Sequence, residues 1–224
     1  MKKTKKLFAC ILLAAMLLSM TACGDTPPEK EYPEHYEQYS ALLGESRETV
    51  LAQLNLTEKD LVSSHRGVYS IPVTAQYNGL TFDMTLEFDE VNDRLWGFYY
   101  TKLWENEWDN VIRDVGALAK ALTQTFGETR KEAGPNRFSD MSQEELAKSL
   151  SRQGGTNYWL IEKRDDPETK AYVDIIREQI GPQRTIADYL DLTLQMEVIA
   201  DEASGSASTQ LRFELELDYL PTIR

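Results

Sequence analysis

Residues 80–88 read Leu80-Thr81-Phe82-Asp83-Met84-Thr85-Leu86-Glu87-Phe88, so that apolar and polar side chains alternate without interruption. A period of two places successive side chains on opposite faces of a β-strand, and it predicts a strand with one buried and one solvated face. Asn78-Gly79 precedes this stretch and Asp89–Asp93 follows it, and both segments have the composition of turns. The stretch therefore predicts the middle strand of an antiparallel meander.

The flanking segments supply the other two strands of this meander. Tyr69–Ala75 also alternates, and Pro72 places that strand at an edge because proline cannot donate a hydrogen bond to a neighbouring strand. Leu95–Trp104 predicts the third strand. Together they predict an antiparallel sheet with one face in contact with water.

Apolar residues at helical spacing predict four helices with recognisable first residues. Ser46 and Asn106 are the expected N-caps of the first two, Ser139 or Asp140 caps the third, and Pro167 opens the fourth. The expected ranges are 46–54, 107–126, 139–152 and 167–180.

Three further strands are predicted over 157–163, 190–198 and 211–219, so each half of the chain begins with a helix and continues with three strands. We expect an α+β fold of antiparallel meanders with helices packed on one face, divided into similar halves at 41–130 and 131–224. The sequences that begin two of the helices, 45–54 and 141–150, are similar. A duplicated unit would explain the similarity, but any two capped amphipathic helices would also be similar.

The last two strands are expected to form an antiparallel hairpin. Only a register that pairs even with odd numbers keeps the apolar side chains of both strands on one face. Centring the loop between Ser204 and Gly205 makes paired residue numbers sum to 409 and places Glu197 opposite Arg212. This favourable charge pair is the reason for choosing 409 over 407 or 411.

The first 22 residues have the form of a secretory signal peptide. A basic start, Met1–Lys6, is followed by an apolar run of twelve residues, Leu7–Leu18, which is shorter than the roughly 20 residues of a membrane span. Met20-Thr21-Ala22-Cys23 resembles the lipobox of bacterial lipoproteins, with Met20 in place of the usual leucine. The resemblance implies diacylglycerol on Cys23, cleavage before it, and an extracytoplasmic protein held at the cell membrane by its acyl chains.

Residues 23–40 are expected to form an acidic, proline-rich tether behind the lipidated cysteine. The whole chain has 24 basic and 37 acidic residues, a net charge of −13. Cleavage before Cys23 removes four lysines and no acid, which leaves 20 basic residues against 37 acidic ones and a net charge of −17. This charge argues against a nucleic-acid partner. Because Cys10 leaves with the signal and Cys23 is acylated, the mature chain would have no free thiol.

A second resemblance concerns the start of the body. The stretch 43–54, Leu43-Gly44-Glu45-Ser46-Arg47-Glu48-Thr49-Val50-Leu51-Ala52-Gln53-Leu54, followed by a three-strand meander, is similar to BamE-type lipoproteins and to the β-lactamase-inhibitor-protein fold. It covers at most residues 43–104, and Asn55 stands where those proteins usually have glycine. The resemblance implies a helix packed on an antiparallel sheet and a scaffold or inhibitor role, and it assigns no functional residue.

The sequence contains none of the common catalytic or phosphate-binding motifs. A Ser-His-Asp triad would have to use His65 with Ser63 or Ser64, and sequence neighbours rarely face each other for proton transfer, so we expect a solvated loop histidine. The acidic segment Asp89–Asp93 lacks the spacing of a calcium loop and is expected to be a plain turn. We therefore expect no metal site and no cofactor.

The strand over 95–104 is apolar on both faces, and its aromatic residues are candidate ligand contacts. Trp96, Phe98, Tyr100 and Trp104 share one parity. They either stack on a sugar or a peptide or fill the core, and core packing is the favoured interpretation because aromatic side chains dominate protein cores.

These features lead to one favoured function and two alternatives. We expect a membrane-anchored extracytoplasmic lipoprotein with a non-enzymatic binding or scaffold role, whose partner is an envelope protein or a cell-wall component. The first alternative is a cell-envelope hydrolase with an unrecognised pair of carboxylates. The second is a small-solute-binding lipoprotein.

Overall fold

The computed structural model describes residues 30–90, 92–105, 107–129, 137–180 and 186–219. These residues form one antiparallel sheet of seven strands in the order β1-β2-β3-β4-β7-β6-β5, accompanied by helices. The strands are β1 Val62–His65, β2 Val68–Tyr77, β3 Leu80–Phe88, β4 Leu95–Trp104, β5 Gly155–Arg164, β6 Ile186–Asp201 and β7 Ser206–Tyr219. The helices are α1 Tyr36–Leu42, α2 Arg47–Gln53, α3 Trp108–Phe126, α4 Gln143–Gln153 and α5 Pro167–Ile180. The expected α+β class is confirmed.

The core lies between one face of the sheet and the helices. Along β3 the apolar side chains of the alternating stretch, from Phe82 to Phe88, are at most 1% exposed. Helix α3 faces them with a stripe at helical spacing that includes the fully buried Val111, Val115 and Leu118. One continuous cluster of buried side chains joins all five helices to the sheet. Among the described residues, no helix has both the length and the apolarity that a membrane span requires.

Helix caps agree with the sequence in part. The Ser46 side chain accepts a hydrogen bond from the Thr49 backbone N–H at 3.3 Å, as expected for the N-cap of α2. Helix α4, however, begins later than predicted, because Ser142 and Glu145 form a reciprocal capping box. Ser139 and Asp140, the expected caps of this helix, lie instead in a 3₁₀ turn over Phe138–Asp140. The predicted cap Asn106 lies outside the described residues.

The two halves of the chain meet at the centre of the sheet. The last strand of each half, β4 and β7, pair antiparallel from Gly97↔Glu214 to Trp104↔Ala207 without a bulge. The first half differs from the expected pattern, because it has the additional helix α1 and the additional short strand β1, whereas α5 lies between β5 and β6 as predicted. The described residues from Tyr32 onward belong to one compact unit.

The folded body begins earlier than the predicted boundary at residue 41. Residues 36–40, predicted as part of a flexible tether, belong to helix α1, and Tyr36 and Tyr39 are buried. The ring centre of Tyr36 lies 5.1 Å from that of Phe213, and that of Tyr39 lies 5.6 Å from Phe98. Burial of two tyrosines at helical spacing outweighs the polar composition of the segment.

The C-terminal hairpin is antiparallel as predicted, but its register differs by two residues. Paired numbers sum to 407, so that Glu197 lies opposite Gln210, and Gln195 lies opposite Arg212. The turn decides this register: Gly205 has a φ of 67° and donates its N–H to the carbonyl of Glu202 at 3.1 Å. The charged partners of Arg212 are Glu214 on its own strand and Glu87 on β3, two strands away, rather than Glu197.

Candidate functional site

The face of the sheet that points away from the core carries polar side chains. Strands β3 and β6 contribute their odd-numbered residues to this face, as does β4 from Gly97 on. Strands β2 and β7 contribute their even-numbered residues, as does β5 up to Leu160. We call it the polar face. In the part of the chain that the structure describes, the buried side chains of the helices join the core on the opposite side.

Arg212 lies at the centre of the polar face, and its side chain contacts residues of β3, β4 and its own strand β7. Strand pairing aligns Thr85, Tyr99, Arg212 and Gln195 in one row across the sheet. Nη2 of Arg212 donates to Oε2 of Glu87 at 3.1 Å, and its Nε lies 2.5 Å from Oε2 of Glu214. Its guanidinium carbon lies 5.1 Å from the ring centre of Tyr99. These contacts hold the guanidinium between two carboxylates that lie 127 positions apart in the sequence.

Gly97 makes room for this cluster. It separates Glu87 from Glu214 in the adjacent row, so the Cα atoms of the two glutamates are about 10 Å apart, two strand spacings. A Cβ atom at Gly97 would lie 2.9 Å from the carbonyl oxygen of Phe213 and 3.2 Å from the Cβ of Glu214. The missing side chain therefore lets both carboxylates lean toward Arg212.

Glu214 is the most perturbed carboxyl group of the cluster. The residue is 8% exposed, and burial raises its pKa from 4.5 to about 7, because a charged carboxylate loses its hydration there. Arg212 counteracts this effect by favouring the charged form, and the negative charges of Glu87 and Glu216 reinforce it. A group with this pKa takes up and releases protons near neutral pH.

The remainder of the polar face is acidic and has an apolar margin. Its carboxylates are Asp83, Glu87, Asp191, Glu197, Asp201, Glu214 and Glu216, and its cations are Lys163, beyond the β5 bulge, and Arg212. Toward one end of the sheet, Leu103 and Ile199 flank Ser208 in a single row and are 58% and 62% exposed. Leu160 on β5 is 40% exposed.

The aromatic candidates on β4 lie on the opposite face. Phe98 and Tyr100 are fully buried and Trp104 is 4% exposed, so helices α1 and α3 cover them. The ring of Phe98 stacks on that of Phe213 at a centre distance of 5.0 Å. Trp96 is only partly buried, with its ring edge-on to Tyr172 at 6.3 Å. The core interpretation therefore describes the first three. The aromatic residue of the polar face whose ring lies against Arg212 is Tyr99.

The other residues considered from the sequence do not form a site. Ser64 Oγ lies 3.3 Å from Nδ1 of His65, but both residues are exposed. Asp89 acts as a turn residue: its Oδ1 accepts from the Asn92 N–H at 2.8 Å and its Oδ2 from the Tyr172 hydroxyl at 2.9 Å. No group of side chains suited to a metal ion occurs among the described residues. Cys23 lies outside them.

Comparison of the chain with models of known protein families, with curated proteins and with solved structures found no match. The resemblance to BamE-type lipoproteins therefore stays a prediction from the sequence.

The sequence reasoning missed Arg212, Glu87, Glu214 and Tyr99 because their proximity depends on pairing between distant strands. Two local signals were present. Arg212 is the only basic residue in the acidic strand 211–219, and Gly97 interrupts an aromatic strand where a close approach of neighbouring groups is expected.

Proposed function

We propose that the protein is an extracytoplasmic lipoprotein, anchored at the cell membrane through acylated Cys23, whose body binds an envelope protein or a cell-wall component without catalysis. The observation that carries the binding role is the polar face, where Arg212 is held between Glu87 and Glu214 beside Tyr99. A charged cluster that is already ordered loses little conformational entropy when a partner binds. Exposed Leu103 and Ile199 add apolar area of the kind found in interfaces.

The anchor is supported by the signal-like segment 1–22 and by the position of Cys23. Because the folded unit begins at Tyr32, only eight residues, 24–31, lie between its first residue and the acylated cysteine. Even fully extended, they span about 30 Å. The binding body would thus work close to the membrane surface rather than at the end of a long tether.

Site-specific photo-crosslinking in native membranes tests the binding role. A photoreactive amino acid at Leu103 or Ile199 reports from the polar face, and one at Ile175 on α5, which is 39% exposed, is the matched control. We expect a discrete adduct from the two positions on the polar face and none from the control. Adducts from the control position alone, or from none of the three, would contradict the proposal.

A hydrolase is the second candidate, and the raised pKa of Glu214 is the observation that favours it. Glu87 would be the second carboxylate of the pair. Both carboxylates contact the same guanidinium, which reduces their freedom to contact a scissile bond. Incubation of the full-length protein with purified peptidoglycan tests this alternative, since an acid–base role requires release of fragments that Glu214→Gln abolishes.

A further inference from the structure

The charges on the polar face are not balanced within the described part of the chain. Both cations are already engaged: Arg212 contacts Glu87 and Glu214, and Nζ of Lys163 lies 3.4 Å from the ring centre of Tyr189. Asp83, Glu197 and Glu216 form no ion pair with any residue that the structure describes. The face therefore presents uncompensated negative charge to solvent.

The negative charge of the polar face determines which classes of partner it attracts and which it repels. A second copy of the chain would place one acidic face against another, and the preceding segment 24–31 is itself acidic, so both would be repelled. Anionic lipids, nucleic acids and anionic wall polymers are disfavoured for the same reason. A cationic partner is attracted instead.

The apolar margin further restricts the partner. Leu103 and Ile199, in one row of the sheet, leave more than half of their surface in water. A small cation would leave these side chains exposed, whereas a polypeptide can contact them with apolar side chains while its lysines or arginines reach the carboxylates. Asp83 and Glu197 lie in one row of the sheet, three strand spacings or about 14 Å apart, and side chains four positions apart in an extended segment have a similar separation.

We propose that the polar face binds a basic segment of another protein, with lysine or arginine side chains paired to Glu197, Glu216 and Asp83 and apolar side chains against Leu103 and Ile199. This inference rests on the proposed binding function and names the class of its partner. Cluster residues Arg212 and Tyr99 then fix the shape of the surface, and the outer carboxylates supply the attraction.

A titration of the full-length lipoprotein in neutral detergent micelles tests the partner class. The probes are a 12-residue peptide of alternating lysine and threonine and its counterpart with glutamate in place of lysine. Glu197→Gln combined with Glu216→Gln removes two charges from the polar face. The matched control, Glu37→Gln combined with Glu178→Gln, removes two exposed charges from helices α1 and α5.

We expect the lysine peptide to bind and the glutamate peptide not to bind. The double variant of the polar face should weaken binding about 3- to 30-fold, as expected for loss of two exposed ion pairs, and the control should change it less than twofold. Equal weakening by both double variants would overturn the inference, since binding would then follow total charge. Binding of soluble peptidoglycan fragments instead of the lysine peptide would also overturn it.

Failure of this inference can be distinguished from failure of the proposed function. If crosslinking from Leu103 and Ile199 captures a partner while the lysine peptide shows no preference for the polar face, the binding function stands and only the basic partner is wrong. If neither experiment shows a contact at this face, the binding function itself fails.

Discussion

Replacement of Glu214 by glutamine should change how the stability of the protein depends on pH. The carboxyl group has a pKa of about 7 in the folded protein against an ordinary value of 4.5. An acid whose pKa is raised by folding stabilises the folded state fully below its unfolded pKa, and this contribution is lost as pH rises through the folded pKa. For Glu214 the loss falls between about pH 4.5 and pH 7.

The size of the effect follows from the shift. One pKa unit corresponds to 1.36 kcal/mol, so a shift of this size amounts to about 3 kcal/mol. The side chain is only 11% exposed, so solvent screening reduces the value little. The charged groups that face the carboxyl are Arg212, Glu87 and Glu216, and burial outweighs all of them. Glutamine has nearly the same shape and does not titrate.

The assay is urea unfolding of the wild type and of Glu214→Gln at several pH values between 4 and 8. We expect the free energy of unfolding of the variant, relative to the wild type, to increase by about 3 kcal/mol across this range. Glu178→Gln, at an exposed position of α5, is the control and should leave the pH profile close to that of the wild type. Parallel profiles for wild type and Glu214→Gln would refute the assignment of a buried, neutral-pH carboxyl.

Three further outcomes are expected. Phe98→Ala should lower the free energy of unfolding by about 3–5 kcal/mol in urea titrations, because a fully buried ring is removed, and Trp96→Ala should cost less since Trp96 is only partly buried; equal costs would contradict the assigned burial. Gly97→Ala should lower the free energy of unfolding by about 1–3 kcal/mol and displace Glu214, so that the pH profile of stability moves toward that of Glu214→Gln. A free energy of unfolding and a pH profile like those of the wild type would show that the cluster does not need this glycine. Cys23→Ala should release the protein from membranes or leave it unprocessed, and an intact mass of the wild type that begins at unmodified Met1 would exclude the anchor.

The extent to which the sequence predicted the fold depends on the range of the interactions involved. The strand over 80–88 and the helix over 167–180 have the expected bounds, because a period of two or of 3.6 residues reports which side chains face the core. The hairpin register was wrong by two residues because a single charge pair was given more weight than the left-handed Gly205 of the turn. Helix α1 was missed because a short, polar segment gives no sign that Tyr36 and Tyr39 pack against strands far along the chain.

The site was less predictable than the fold for the same reason. Tyr99 and Phe98 are neighbours in the sequence, but they point to opposite faces of the sheet, and only the pairing of β4 with β7 decides which of them meets Arg212. The contact between Arg212 and Glu87 spans 125 positions. A single sequence contains no local pattern that reports such a contact.

The loss of stability on ionisation of the buried Glu214 also bears on the function of the polar face. At pH values above the pKa of Glu214, the folded protein contains a buried negative charge. An apolar or amide side chain at this position would make the folded protein more stable, because it carries no charge. Buried charged groups concentrate where a surface serves binding or chemistry, because selection there acts on the contact rather than on stability. A cationic partner would offset this cost, since a positive charge near the face favours the ionised carboxylate. The destabilising charge and the acidic surface around it are thus both explained by a partner that brings basic side chains to this face.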